Sequence, residues 1–213
     1  MQPDLAVCMT GISKRFGAVQ ANDRVNLSVR RGTVHGIVGE NGAGKSTLMS
    51  VLYGFYAADS GQIAVFGQAA TIRHADDAIA LGIGMVHQHF MLVDTLSALD
   101  NVLLGAEPHW QLARAQRQVQ QELEPLMQAT GLRVKLDALV QDLSVGDRQR
   151  LEILKALYRG ARILILDEPT AVLTPQEAEQ LFAVLRALRE QGSTIVLITH
   201  KLKEVMRLCE FSP

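Results

Sequence analysis

At 213 residues, 48% of them apolar and 20% charged, the chain has the length and apolar content for one domain with a small inserted lobe, burying ~70% of its unfolded surface. A net charge of −1 with no long run of one sign argues against a basic face for direct nucleic-acid binding, and no apolar run approaches the ~18 residues that span a bilayer. The N-terminal "MQPDLAV" lacks the basic-then-apolar pattern of a leader, and Cys8 and Cys209, in no metal-ligand spacing, read as reduced thiols of a cytosolic protein rather than as a long-range disulfide.

Short β-branched runs alternate with helical patterns at 5–10, 24–30, 33–39, 62–66, 161–167 and 193–199. Such alternation predicts an α/β fold. The runs at 163–166 and 195–198 are apolar without a break, as strands covered on both faces are, so they are expected at the centre of a parallel sheet. From about 95 to 158 the strand signals stop. There Leu112, Ala115, Val119, Leu123 and Leu126 recur at helical spacing, which predicts a helical lobe. Pro125 predicts a break or a fresh helix start, since its ring lacks the N–H that a helix interior uses.

The first motif is "GENGAGKST" at 39–47, with the spacing Gly39-x-x-x-x-Gly44-Lys45-Ser46 between a strand and a helix. That context is the one a phosphate-binding loop requires. Gly39, Gly42 and Gly44 let N–H groups turn inward, Lys45 reaches the outer phosphates, and Ser46 holds Mg²⁺. The alternative is a glycine-rich turn with an incidental lysine.

Next in the chain is "VHQHF", whose His87 and His89 alternate onto one expected strand face; a metal pair there lacks third and fourth ligands. "LSVGD" at 143–147 places Ser144 and Gly146 where a helix starts, and uncapped N–H groups at such an end attract anions. "ILILDE" ends an apolar strand in two acids. Asp167 belongs beside the metal and Glu168 beside a water attacking the terminal phosphate; the alternative is an acidic loop start. Thr174 as N-cap, Pro175 at the first helical position and Glu177 completing a capping box then open a helix that Gly192 ends. His200 closes the last strand, either as a phosphate contact or as a capping histidine.

The order of these motifs over nearly the whole chain resembles the nucleotide-binding domain of ATP-binding cassette transporters. Within that family "MVHQHFMLVDTLSALDNVLLG" and "EILKALYRGARILILDEPTAVLT" are similar to importers for nucleosides and related simple sugars. The resemblance implies an α/β P-loop NTPase core with a mostly parallel sheet, a small N-terminal antiparallel β-lobe and an inserted helical lobe. It implies ATP and Mg²⁺ as the bound species. Gly39, Glu40, Asn41, Gly42, Ala43, Gly44, Lys45, Ser46 and Thr47 would cradle the phosphates, and Phe16 would stack on adenine or else be an ordinary buried aromatic. Gln88, with Ser46 and Asp167, would approach the metal and attacking water, or else be a polar strand-end residue. Glu168 matches the catalytic base and His200 the switch histidine.

"LSVGD" matches the signature motif, whose Ser144 and Gly146 bind ATP held by a second such domain. The further partners implied are integral membrane permease subunits and a solute-binding protein, at the cytoplasmic face of the membrane. Three departures stand out. Val145 and Asp147 replace a Gly and a Gln of the family motif, Asp147 either repelling triphosphate or capping its helix. Thr174 stands where the family carries an Asp. The chain stops 13 residues after His200, and the resembling importers fuse two such domains, so it reads as an isolated first half. Three other readings stay open: a soluble cassette ATPase outside transport, a P-loop kinase for a small acceptor, and a regulatory domain that binds ATP without turnover.

Overall fold

The computed structural model describes residues 4–104 and 112–208. Cys209 lies outside them, and Cys8 is a half-buried free thiol. Two sheets form the scaffold. The first is antiparallel, ordered β2-β1-β4-β5, with β1 (Leu5–Phe16), β2 (Val19–Arg30), β4 (Ser60–Val65) and β5 (Gln68–Ala70). The second is wholly parallel, ordered β3-β8-β7-β6, with β3 (Val34–Val38), β6 (Ile83–Val86), β7 (Ile163–Asp167) and β8 (Thr194–Thr199). The two unbroken apolar runs are therefore the central pair, as expected.

Side chains alternate across a strand, so each buried run divides between two cores. Leu164 and Leu166 of β7 and Ile195 and Leu197 of β8 face one core; it also takes in α3 (Ala98–Leu103), α5 (Val145–Tyr158) and α6 (Pro175–Glu190). Ile163 and Ile165, with Val196 and Ile198, face the other, shared with α1 (Lys45–Leu52) and the antiparallel sheet. Each such side chain contributes about 1.5–3 kcal/mol on burial, and both faces of one sheet use it. The helix α5 approaches β6 closely, and a Cβ on Gly84 would lie 2.9 Å from those of Ala156 and Ala161.

The helical lobe is made of α3, α4 (Leu112–Thr130) and α5. Val119 and Leu123 are buried and Leu126 half-buried, as the spacing predicts, whereas the side chains of Leu112 and Ala115 lie outside the described residues. The expected break at Pro125 does not occur, and α4 runs through it. Pro125 and Gln121 are both exposed, so water can serve the Gln121 carbonyl that Pro125 cannot. The two short helices α2 (Ala75–Ala80) and α7 (Leu202–Leu208) flank the parallel sheet. The α6 capping box is realised: Thr174 N–H donates to Glu177 Oε2 at 2.9 Å and Glu177 N–H to Thr174 Oγ1 at 3.3 Å.

The topology also brings loops together. Strands β3, β8, β7 and β6 run in one direction and end level, with Val38 opposite Thr199 and Asp167 opposite Ile198. The segments carrying the glycine-rich loop, His200, Glu168 and Gln88 therefore leave the same sheet edge.

Candidate active site

Beyond β3 the chain turns through Gly42 (φ 83°) and Gly44 (φ 81°), left-handed conformations that favour glycine. Gly39 does not need that region; its carbonyl, with that of Glu40, accepts Lys45 Nζ at 2.7 Å. Gly44 is the N-cap of α1 and supplies no side-chain acceptor, and the first turn holds no acid. The leading N–H groups of α1 are thus open to an anion.

Behind the loop stands β2. Asn22 Nδ2 donates to Gly44 O at 3.1 Å, and Gln20 Nε2 donates to Asn22 O at 2.7 Å. A Cβ on Gly44 would lie 2.2 Å from Ala21 O, so only glycine lets loop and strand meet. No local pattern in the 20–23 stretch, where only Asn22 is buried, announces this support.

In front of the loop is a cleft of about 480 Å³. Its walls are Asn41, Gly42, Ala43, Gly44, Lys45, Ser46 and Thr47, with Phe16, Gln88, Glu168 and His200 from elsewhere in the chain. Phe16 is exposed at the end of β1, its ring edge-on to Tyr56 at 4.9 Å, so it is no ordinary core aromatic. Gln88 is likewise exposed.

Asp167 lies just behind the cleft, accepting the Ser46 hydroxyl at 3.1 Å. Burial holds its carboxyl above the ordinary carboxylate range, opposed by the Ser46 bond and helped by the neighbouring Glu168 charge. Glu168 occupies the left-handed region (φ 48°), uncommon for a residue with a Cβ, while its N–H stays tied to Ile198 O at 2.9 Å. Its Oε1 is 2.9 Å from His200 Nδ1, and its Oε2 is buried with no protein partner.

Ser144 and Gly146 do not line this cleft. Ser144 caps α5, accepting Asp147 N–H at 3.1 Å and donating its hydroxyl to Asp147 Oδ2 at 2.9 Å. Asp147 Oδ1 pairs with Arg150 at 2.6 Å. The carboxylate takes the side-chain hydroxyl where a full capping box would take the N-cap N–H, and it is neutralised by a cation. Gly146 packs on the start of α6, where a Cβ would come 2.8 Å from Glu177 Oε1.

The expected His87–His89 face is not formed. Strand β6 ends at Val86, His89 is exposed, and His87 turns into a separate cavity of about 230 Å³ beside Phe55 and Tyr53, where burial lowers its pKa. Glu152 of α5 lines that cavity. Its Oε1 accepts Met91 N–H at 2.6 Å, its Oε2 lacks a partner, and burial pushes its carboxyl up to about 7.

Known proteins share this fold and much of the sequence. The sequence profile described as ABC transporter matches residues 22–171. The nucleoside import ATP-binding protein NupA of Lactococcus lactis subsp. cremoris is 46% identical over 210 residues, covering 99% of this chain and 42% of that protein. The guanosine import ATP-binding protein NupO of Bacillus subtilis is 50% identical over 202 residues, covering 95% of this chain and 40% of that protein. The chain thus spans about two fifths of the length of the curated relatives it matches. A solved structure of a nucleotide-free ATP-binding cassette from an ABC transporter shares the fold with a TM-score of 0.85 at 26% identity, covering 97% of this chain and 85% of that one.

Proposed function

The chain belongs to the ABC transporter family, and from that premise we propose that it binds and hydrolyses ATP to energise an importer of nucleosides or related simple sugars. The observation that carries the reading is the buried, partnerless Oε2 of Glu168 on a cleft walled by a phosphate loop. An unpaired acceptor of that kind costs about 1–3 kcal/mol unless a ligand or water uses it.

In this reading the N–H groups of Gly39 to Thr47 and the α1 terminus bind the phosphates, and Lys45 leaves the Gly39 and Glu40 carbonyls for the outer phosphate oxygens. Phe16 stacks on the adenine. Ser46, Asp167 and Gln88 offer hydroxyl, carboxylate and amide oxygens, a hard donor set that fits Mg²⁺. When bound, Mg²⁺ neutralises charge that builds on the transferred phosphate. Glu168 takes the proton of the attacking water, and His200 holds the Glu168 carboxylate in place.

Ser144 and Gly146 lie away from the cleft of their own chain, which supports a composite site completed by a second nucleotide-binding domain. ATP between the two domains favours the closed pair, and loss of the terminal phosphate releases it. The Gln88 loop would pass that cycle to membrane permease subunits, fed by a solute-binding protein, with this chain at the cytoplasmic face. Among the described residues no helix is long and apolar enough to cross a membrane.

The test is phosphate release from MgATP as a function of chain concentration. Because two chains build each site, specific activity is expected to rise with concentration. ATP binding without release at any concentration would point to a regulatory module, and first-order behaviour would remove the composite site.

A further inference from the structure

Four loops leave the sheet edge beside the cleft, and one carboxylate outside the assigned motifs joins two of them. Glu204, in the first turn of α7, accepts the hydroxyl of Thr170 on Oε1 at 2.6 Å and that of Thr199 on Oε2 at 3.2 Å. Lys201 Nζ completes the cluster, 3.2 Å from Glu204 Oε1 and 3.4 Å from the Thr170 hydroxyl, while Lys201 N–H donates to Thr199 Oγ1 at 3.0 Å. Thr170 and Thr199 are buried, so each hydroxyl must find its partners inside the protein.

The positions of these threonines give the cluster its meaning. Thr170 is two residues beyond Glu168, and the Ala171 N–H to Glu168 O bond at 3.1 Å closes a turn around it. Thr199 immediately precedes His200. Glu204 therefore fixes the loop after β7 against the loop after β8, and those two loops deliver the side chains that meet at 2.9 Å. A carboxylate has two oxygens and can hold two hydroxyl donors at once, whereas a shorter or apolar side chain at 204 takes away the acceptor of both threonine hydroxyls.

We propose that Glu204 is a positioning residue for ATP hydrolysis, setting the contact between Glu168 and His200 through Thr170 and Thr199. This inference rests on the proposed roles of Glu168 and His200. Glu204 does not line the cleft. Its loss is expected to lower the rate of the chemical step and to leave nucleotide binding nearly unchanged, because the phosphate loop and Phe16 are held by other elements.

The experiment uses the 213-residue chain. Turnover and KM for MgATP, equilibrium binding of a fluorescent ATP analogue and thermal midpoints are measured for Glu204→Ala, Glu204→Gln, Thr170→Val and Thr199→Val, with Glu168→Gln alongside. Expected are a fall in kcat of about tenfold or more for Glu204→Ala with KM within about threefold, partial recovery in Glu204→Gln, and several-fold losses in each valine variant that do not add to that of Glu204→Ala. The valine variants keep side-chain volume and carry the test if Glu204→Ala fails to fold. A second readout is independent of turnover: the ring resonances of His200 respond to Glu168→Gln while the pair is in contact, and Glu204→Ala is expected to abolish that response. Wild-type kcat in Glu204→Ala or in both valine variants, or an unchanged His200 response, overturns the proposal. Near-normal turnover in Glu168→Gln would instead overturn the role of Glu168, which separates the two failures.

Discussion

His200 Nδ1 lies 2.9 Å from Glu168 Oε1, though the two residues leave neighbouring strands by separate loops. The contact uses one carboxylate oxygen and leaves Oε2 buried without a protein partner. Glu168→Gln keeps the shape and removes the base, so ATP binding should persist while turnover falls about 10²-fold or more. Steady-state phosphate release beside equilibrium nucleotide binding decides it; near-normal release rejects Glu168 as base.

Gly44 is held between its own positive φ and the carbonyl of Ala21, 2.2 Å from where a Cβ would sit. Gly44→Ala is expected to displace the loop, cost more than about 1 kcal/mol of stability, and weaken ATP binding at least about tenfold. Asn22→Ala, which removes only the bond to Gly44 O, should act in the same direction by about 1 kcal/mol. Calorimetric titration with ATP checks both, and wild-type affinity in Gly44→Ala would show that the loop does not need its observed course.

Asp147 accepts the hydroxyl of its N-cap Ser144 and is neutralised by Arg150 of its own helix. Asp147→Gln should therefore cost no more than about 1 kcal/mol of stability and leave ATP-driven dimerisation unchanged at low salt. Sedimentation with MgATP in a Glu168→Gln background measures the dimer fraction. A dimer tighter than the wild type's at low salt, by a margin that fades as salt rises, would show that the carboxylate faces the partner's nucleotide after all.

Glu152 gives the stability a pH signature. Burial raises its carboxyl from 4.5 to about 7, so the folded state holds the proton more tightly than the unfolded chain. Its contribution is complete below about pH 4.5 and is lost as pH rises towards 7, by about 3 kcal/mol at most. Glu152→Gln keeps the acceptor for Met91 N–H and cannot ionise. Urea unfolding between about pH 5 and 8 should show a downward slope in the wild type that is shallower in Glu152→Gln, and equal slopes would remove Glu152 as the source.

What the sequence by itself determined is what depends on neighbours along the chain. The spacing from Gly39 to Ser46, the capping box from Thr174 to Glu177 and the apolar runs of β7 and β8 each encode a backbone conformation or a burial pattern within a few residues. Those local rules predicted a central strand pair, a glycine-rich turn between β3 and α1 and two acids at a strand end, all of which the fold contains. Local rules also misjudged Pro125 and the His87–His89 pair. Whether a freed carbonyl meets water, and where β6 ends, are settled by what packs against each segment.

Only the tertiary structure decided which distant residues touch. Asn22 reaches Gly44 across 22 positions and Glu204 reaches Thr170 across 34, neither at a spacing that a helix or strand repeats. The second contact follows from the parallel register that ends β8 and β7 level, a register set by the burial of both faces of the sheet, and the first from the antiparallel sheet that brings β2 behind the glycine-rich loop. Asp147 was likewise open on sequence alone, because a capping acid and a ligand-facing acid share one position. Its Arg150 partner, one helical turn away, holds the carboxylate to the helix.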